Sequence, residues 1–180
     1  RHRRELGPAR LDGAGLVPYT PIVGIIGYVL HPDGERVLLV HRSRDGDQHQ
    51  GKYNGLGGKL EADEDVVACL HRELMEEAGI TVTAQRLRGT ISWPGFGLGG
   101  EHWLGFLFVV DGFDGEVPPR NDDGPLEWVP IERLLGVGDP PPMWEGDRHF
   151  LPMVFDDDPR PFYGVLPYRD GQATSWVFHR

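Results

Sequence analysis

The hydrophobic positions of this chain fall mostly in short runs rich in β-formers and divided by turn residues, and a helical period shows in two places. Residues 22–30 and 36–42 are such runs; they flank His31-Pro32-Asp33-Gly34, which predicts an antiparallel hairpin. Residues 43–50 read as a polar loop. On a 3.6-residue wheel Val66, Val67, Leu70, Leu74 and Ala78 share one stripe, so a helix is predicted over residues 63–78 with that stripe toward the core. Asp63 is its expected N-cap and Gly79 its stop. Residues 81–93 and 102–110 read as strands around the glycine-rich loop 94–100, residues 111–123 as an acidic loop, 126–129 as a short strand and 131–135 as a helical turn. Past the breaker cluster 136–142, residues 143–155 are the second predicted helix, and 162–168 with 173–179 a terminal hairpin across Arg169-Asp170-Gly171-Gln172. Mostly antiparallel strands with two helices make an α+β layered domain.

Residues 1–19 mix arginine, proline and glycine without a period and are expected to be a flexible N-terminal arm, leaving residues 20–180 as a single domain. The longest apolar run, residues 22–30, is interrupted by glycines and too short to cross a bilayer; no signal-peptide pattern precedes it. The one cysteine, Cys69, fits a reducing compartment, so a cytoplasmic protein is expected. A net charge of −10 argues against gripping duplex nucleic acid through a basic face, but leaves room for a small anionic substrate bound through cations.

Those cations have a place to bind. From Gly58 to Ile80 the chain reads GKLEADEDVVACLHRELMEEAGI, which fills G-x5-E-x7-R-E-U-x-E-E-x-G-U, with U aliphatic. From background composition the chance of that is on the order of one in a billion per window, so coincidence is set aside. Glu73, Glu76 and Glu77 stand at i, i+3 and i+4, on the face beside the apolar stripe, where like charges cost helix stability. Such a local conflict marks a functional site. A merely solvated acidic face would explain neither the glycine-dense segment 51–58, whose carbonyls are free to act as ligands, nor the adjacent Arg72-Glu73 pair. Oxygen-only ligands of high charge select Mg²⁺, with Mn²⁺ as a substitute. A cation so held screens a polyphosphate and acidifies a bound water, and a glutamate in reach can take the proton. The chemistry is attack of water on a phosphoanhydride. No G-x-S-x-G, H-E-x-x-H or G-x4-G-K-[ST] pattern offers another.

The spacing resembles the signature of the Nudix hydrolases. The resemblance implies an α/β/α sandwich with a mixed, largely antiparallel sheet, the signature forming a loop-helix-loop. It implies Glu73, Glu76 and Glu77 as metal ligands with the carbonyl of Gly57, Arg72 orienting Glu73, Glu64 as a helper behind them, and Lys59 meeting phosphate. The general base is Glu76 or Glu73. A further ligand is implied just before a tryptophan-bearing strand, where Asp123 stands ahead of Trp128, with Glu127 in reserve. Residues 52–59 are similar to those of MutT-homologue enzymes that destroy oxidised purine nucleoside triphosphates such as 8-oxo-dGTP, in which an asparagine, here Asn54, binds the base. Trp144 and Asp147 are similar to the same enzymes' stacking tryptophan and base-reading acid; Trp93 and Trp103 are candidates for the opposite wall. That branch carries two adjacent acids after the tryptophan, and here the first position is Gly146. The implied substrate is a small nucleotide, cleaved to monophosphate and pyrophosphate. The alternatives are ADP-ribose, a sugar nucleotide or a dinucleoside polyphosphate, and a nucleotide-sensing domain without turnover.

Overall fold

The computed structural model describes residues 18–180, so the expected arm, Pro18 and Tyr19 apart, lies outside the described residues. The centre is β1 (Ile22–Leu30), a nearly continuous apolar run of the kind a strand covered on both faces requires. Its Ile25 and Val29 enter one apolar cluster and its Tyr28 and Ile26 pack into the other. β2 (Arg36–His41) returns antiparallel across the turn at Gly34, but the two strands pair only at Val29–Leu38 and Leu30–Val37. Beyond that they diverge. On its other edge β1 runs parallel to β5 (Trp103–Asp114), which forms a long hairpin with β4 (Thr81–Trp93). A two-residue β3 (Tyr53–Asn54) pairs with β2. β6 (Arg120–Asn121) and β7 (Gly124–Pro130) extend the sheet past β2; β8 (Phe162–Val165) and β11 (Val177–His179) extend it past β4. Only β1–β5 and β4–β8 are parallel, so the sheet is mixed and largely antiparallel.

Helix α1 (Val66–Ala78) covers one face through Cys69, Leu70, Leu74 and Ala78; α3 (Asp147–Phe155) covers the other through Phe150, Leu151 and Val154. The short α2 (Ile131–Leu134) follows β7. This is the expected α/β/α sandwich. The N-cap of α1 is Asp65 and not Asp63: Asp65 Oδ1 accepts from the amides of Val67 and Ala68 at 2.8 and 2.9 Å. The intervening Glu64 is drawn instead to Arg72 and the Glu61 amide. Gly79 ends the helix in the left-handed conformation, as expected. α3 begins at Asp147 rather than at residue 143, because Trp144–Asp147 forms a turn closed by the Asp147 N–H to the Trp144 carbonyl at 3.0 Å. The terminal hairpin is split. Leu166 donates to Ser92, and Pro167, with no N–H, cannot continue the ladder, so the tip becomes a separate ribbon, β9 (Tyr168–Arg169) with β10 (Gln172–Ala173).

Candidate active site

The gap between β1 and β2 is filled by the glycine-dense segment. Ile25 and Gly27 donate to the carbonyls of Gly58 and Leu56 at 2.9 and 2.6 Å, and Leu60 donates back to Val23 at 2.9 Å. The close approach needs bare backbone: a Cβ on Gly57, which sits at φ 150°, would collide with the Ile25 carbonyl, and one on Gly58 with the Glu73 carboxylate. The loop thereby lies between β1 and the acidic face of α1.

On that face Arg72 is the organiser. Its guanidinium donates to both oxygens of Glu64 at 2.6 and 3.0 Å, to Glu73 Oε1 at 2.9 Å, to Glu76 Oε2 at 3.4 Å and to the Lys59 carbonyl at 3.2 Å. The hydrogen bonds from Arg72, and then from the Glu61 amide, hold Glu64 down to about 2. Glu77 turns the other way and accepts from the Gly57 amide at 3.0 Å. Burial, with repulsion from Glu73 and Asp123, pushes its carboxyl up to about 7 against that hydrogen bond and Arg42. Asp123 is carried to this end of α1 by Asn121, whose side chain caps the Asp123 and Gly124 amides and reaches the Glu77 carbonyl at 3.3 Å. Arg42 pairs with Asp123 at 2.9 Å. Glu127 is engaged elsewhere, accepting from Tyr53 at 3.1 Å.

Among the described residues no three acids, histidines or cysteines form a ready cage. Arg72 draws Glu73, Gly57 draws Glu77, and Glu76 points outward with 59% of its side chain exposed. The donor set is all oxygen, and the buried carboxyl of Glu77 carries repulsion from Glu73 and Asp123. That excess of negative charge fits a hard divalent cation.

A cavity of about 280 Å³ opens beside the glycine loop. Gly57, Gly58 and Lys59 line it together with Trp144, Asp147 and Tyr168, and so do Asn54, Trp93 and Trp103. The structure thus brings together the residues assigned to phosphate and to base from segments ninety residues apart in the chain. Lys59 Nζ lies 5.5 Å from the centroid of the Trp103 ring, whose buried indole N–H has no partner among the described residues. Burial pushes the Asp147 carboxyl up to about 7.

Among the lining residues outside the sequence reading are His49, Phe96 and Tyr168. His49 Nδ1 accepts the Trp144 indole N–H at 2.8 Å, and burial lowers its pKa in keeping with a neutral ring. Its amide donates to Asp47, which takes Arg42 Nε at 2.7 Å, so polar contacts run unbroken from Asp123 to the tryptophan. Phe96 packs edge-on against Trp144 and Tyr168 at 5.1 and 4.9 Å. A lone aromatic among the glycines of 94–100 is a signal for it; nothing in the sequence singles out His49 or Tyr168.

Residues 18–154 match the NUDIX domain. The chain is 31% identical over 127 residues to the uncharacterized Nudix hydrolase YvcI of Bacillus subtilis, covering 68% of this chain and 73% of that one. It is 31% identical over 107 residues to the oxidized purine nucleoside triphosphate hydrolase of Danio rerio, covering 58% of this chain and 63% of that enzyme, under two thirds of its length. Among solved structures, the MutT protein of Bacillus halodurans aligns over 87% of this chain and 97% of its own, with a TM-score of 0.72 at 29% identity. No helix among the described residues is long and apolar enough to cross a membrane.

Proposed function

The chain belongs to the Nudix family, whose hydrolases act on phosphoanhydride bonds with divalent metal ions, and from that premise we propose that it cleaves a purine nucleoside triphosphate, oxidised purines such as 8-oxo-dGTP included, to the monophosphate and pyrophosphate. The observation that carries this reading is the single cavity shared by Asn54, Trp144 and Asp147 with Gly57, Gly58 and Lys59. Its volume suits one nucleoside rather than two. The Danio rerio relative, by its name, acts on oxidized purine nucleoside triphosphates.

In this reading Trp144 stacks the base, Asn54 and Asp147 meet its edge, and Lys59 meets phosphate. Glu73, Glu76, Glu77, the Gly57 carbonyl and Asp123 would hold Mg²⁺, which when bound screens the polyphosphate and lowers the pKa of a water. Glu76 or Glu73 takes the proton of the attacking water. Arg72 orients Glu73, and Glu64 fixes Arg72. The test is a panel of normal and oxidised triphosphates, ADP-ribose, a sugar nucleotide and a dinucleoside polyphosphate, incubated with Mg²⁺ and resolved by chromatography. Pyrophosphate and monophosphate from the purine triphosphates are expected. Turnover confined to the diphosphate-linked compounds, or binding of nucleotide with no turnover, would overturn the reading.

Two predictions follow the base end. His49→Ala leaves Trp144 without its hydrogen bond and should raise KM about fivefold with kcat unchanged, since a weakened neutral hydrogen bond affects ground and transition states alike. Steady-state kinetics check it. For Asp147 the carboxyl is raised from its ordinary range to about 7. The stability it contributes is therefore fully present below about pH 4 and is lost as pH rises through about 7. In Asp147→Asn that loss disappears, so melting curves should show Tm of the variant gaining on the parent between about pH 4 and pH 7 and the difference holding constant above that.

A further inference from the structure

Gly146 occupies the position where a second acid would be expected to face the base, and its backbone offers no reason for glycine. At φ −65° and ψ −24° it is right-handed helical, open to any residue. Space is the reason. A Cβ there would collide with the Tyr168 hydroxyl and lie 2.8 Å from Leu166 Cδ2. Tyr168 arrives from β9, twenty-two residues on, and its amide is anchored to the Pro94 carbonyl at 2.7 Å. Its ring is held edge-on to Phe96 at 4.9 Å and to Trp144 at 6.4 Å, and all three line the cavity with Asp147.

We propose that the hydroxyl of Tyr168, filling the volume a side chain on residue 146 would take, is a base-recognising group that meets the purine edge together with Asp147. The inference rests on the nucleoside triphosphate reading above. Above about pH 7, where Asp147 is ionised, its carboxylate only accepts hydrogen bonds, whereas a phenol donates and accepts and turns to suit. A pocket with one acid and one phenol therefore serves both a 6-oxo and a 6-amino purine edge. Burial and the neighbouring Asp147 push the phenol well above its ordinary value, so it keeps its proton as a donor.

The experiment compares the parent with Tyr168→Phe on guanine and adenine deoxynucleoside triphosphates and on deoxyribose triphosphate lacking a base. Loss of one neutral hydrogen bond should lower kcat/KM roughly fivefold to tenfold for both purines, through KM, with less than a twofold change for the abasic compound. Unchanged purine kinetics, or an equal loss with the abasic compound, would overturn the proposal. Placement is read separately. Gly146→Ala should lower Tm in the parent and markedly less in Tyr168→Phe, where the hydroxyl is gone; the same drop in both backgrounds counts against it. If the parent cleaves no triphosphate the proposed function fails, and binding of the three compounds by quenching of tryptophan fluorescence then decides the role of Tyr168 with the same expected ratios.

Discussion

Replacing Glu76 by glutamine should lower kcat about a thousandfold while nucleotide binding and the fold survive. Of the three signature carboxylates Glu76 alone is free of a buried engagement. Glu73 lies against Gly58 and takes Arg72 at 2.9 Å, Glu77 takes the Gly57 amide, and Glu76 is only brushed by Arg72 at 3.4 Å. It is therefore the group best able to turn toward a cation or a water. An amide of the same shape keeps the packing but carries neither charge nor basicity. Because Glu73 and Glu76 stand at i, i+3 on one face, removing a charge relieves repulsion worth about 0.2–0.5 kcal/mol, so Tm should hold or rise slightly. Steady-state kinetics with thermal melts check both halves. A loss of kcat below about tenfold would sink the assignment of this face to chemistry.

Arg88→Ala should be the most damaging change to stability, lowering Tm by roughly 10–15 °C. Arg88, on β4, is 1% exposed and donates to the carbonyls of Met153, Val154, Asp156 and Asp158 at 2.8–3.0 Å and to Asp156 Oδ1 at 2.8 Å. Those carbonyls close the C-terminal end of α3, where unpaired acceptors collect and a cation is favoured. Truncation strands all of them beside a cavity, a loss of about 3–5 kcal/mol. Lysine should rescue only in part, since one ammonium cannot match the fork. Thermal unfolding of both variants is the measurement. A drop of only a degree or two would mean that Arg180, which also reaches Met153 and Asp156, carries the cap.

What was legible in the sequence follows how local its cause is. The helix from the signature, its glycine stop and the β1–β2 hairpin are set by residues a few positions apart, and they stand as read apart from the shift of the cap to Asp65. Asp63, Glu64 and Asp65 are alike in one dimension; only the pull of Arg72 on Glu64 separates them. The acidic face was legible because its repulsion is visible in a helical wheel. The walls of the cavity were not: His49 and Trp144 are 95 residues apart, and no spacing rule joins them. Arg88 was hidden for another reason. Arg86 is exposed and Arg88 buried although both sit on one strand, because a register shift between Leu87 and Gly89 breaks its regularity and turns the arginine under α3. Residues 162–179 keep their pairing but not their continuity, since a single proline decides it.

The parting of β1 and β2 has a consequence for how cleavage is positioned. The signature carboxylates ride on α1 on one face of the sheet, α3 with Asp147 at its start covers the other, and Asp147 shares the cavity with the glycine loop. Under the proposed function, a nucleotide lying in that cavity would be read from one side and cut from the other, and the distance between the two events would be set by the sheet's backbone. The sheet would then act as a ruler: changes at Trp144, Asp147 or Tyr168 should alter which base is admitted, while the count of phosphates from the sugar to the broken bond should stay fixed.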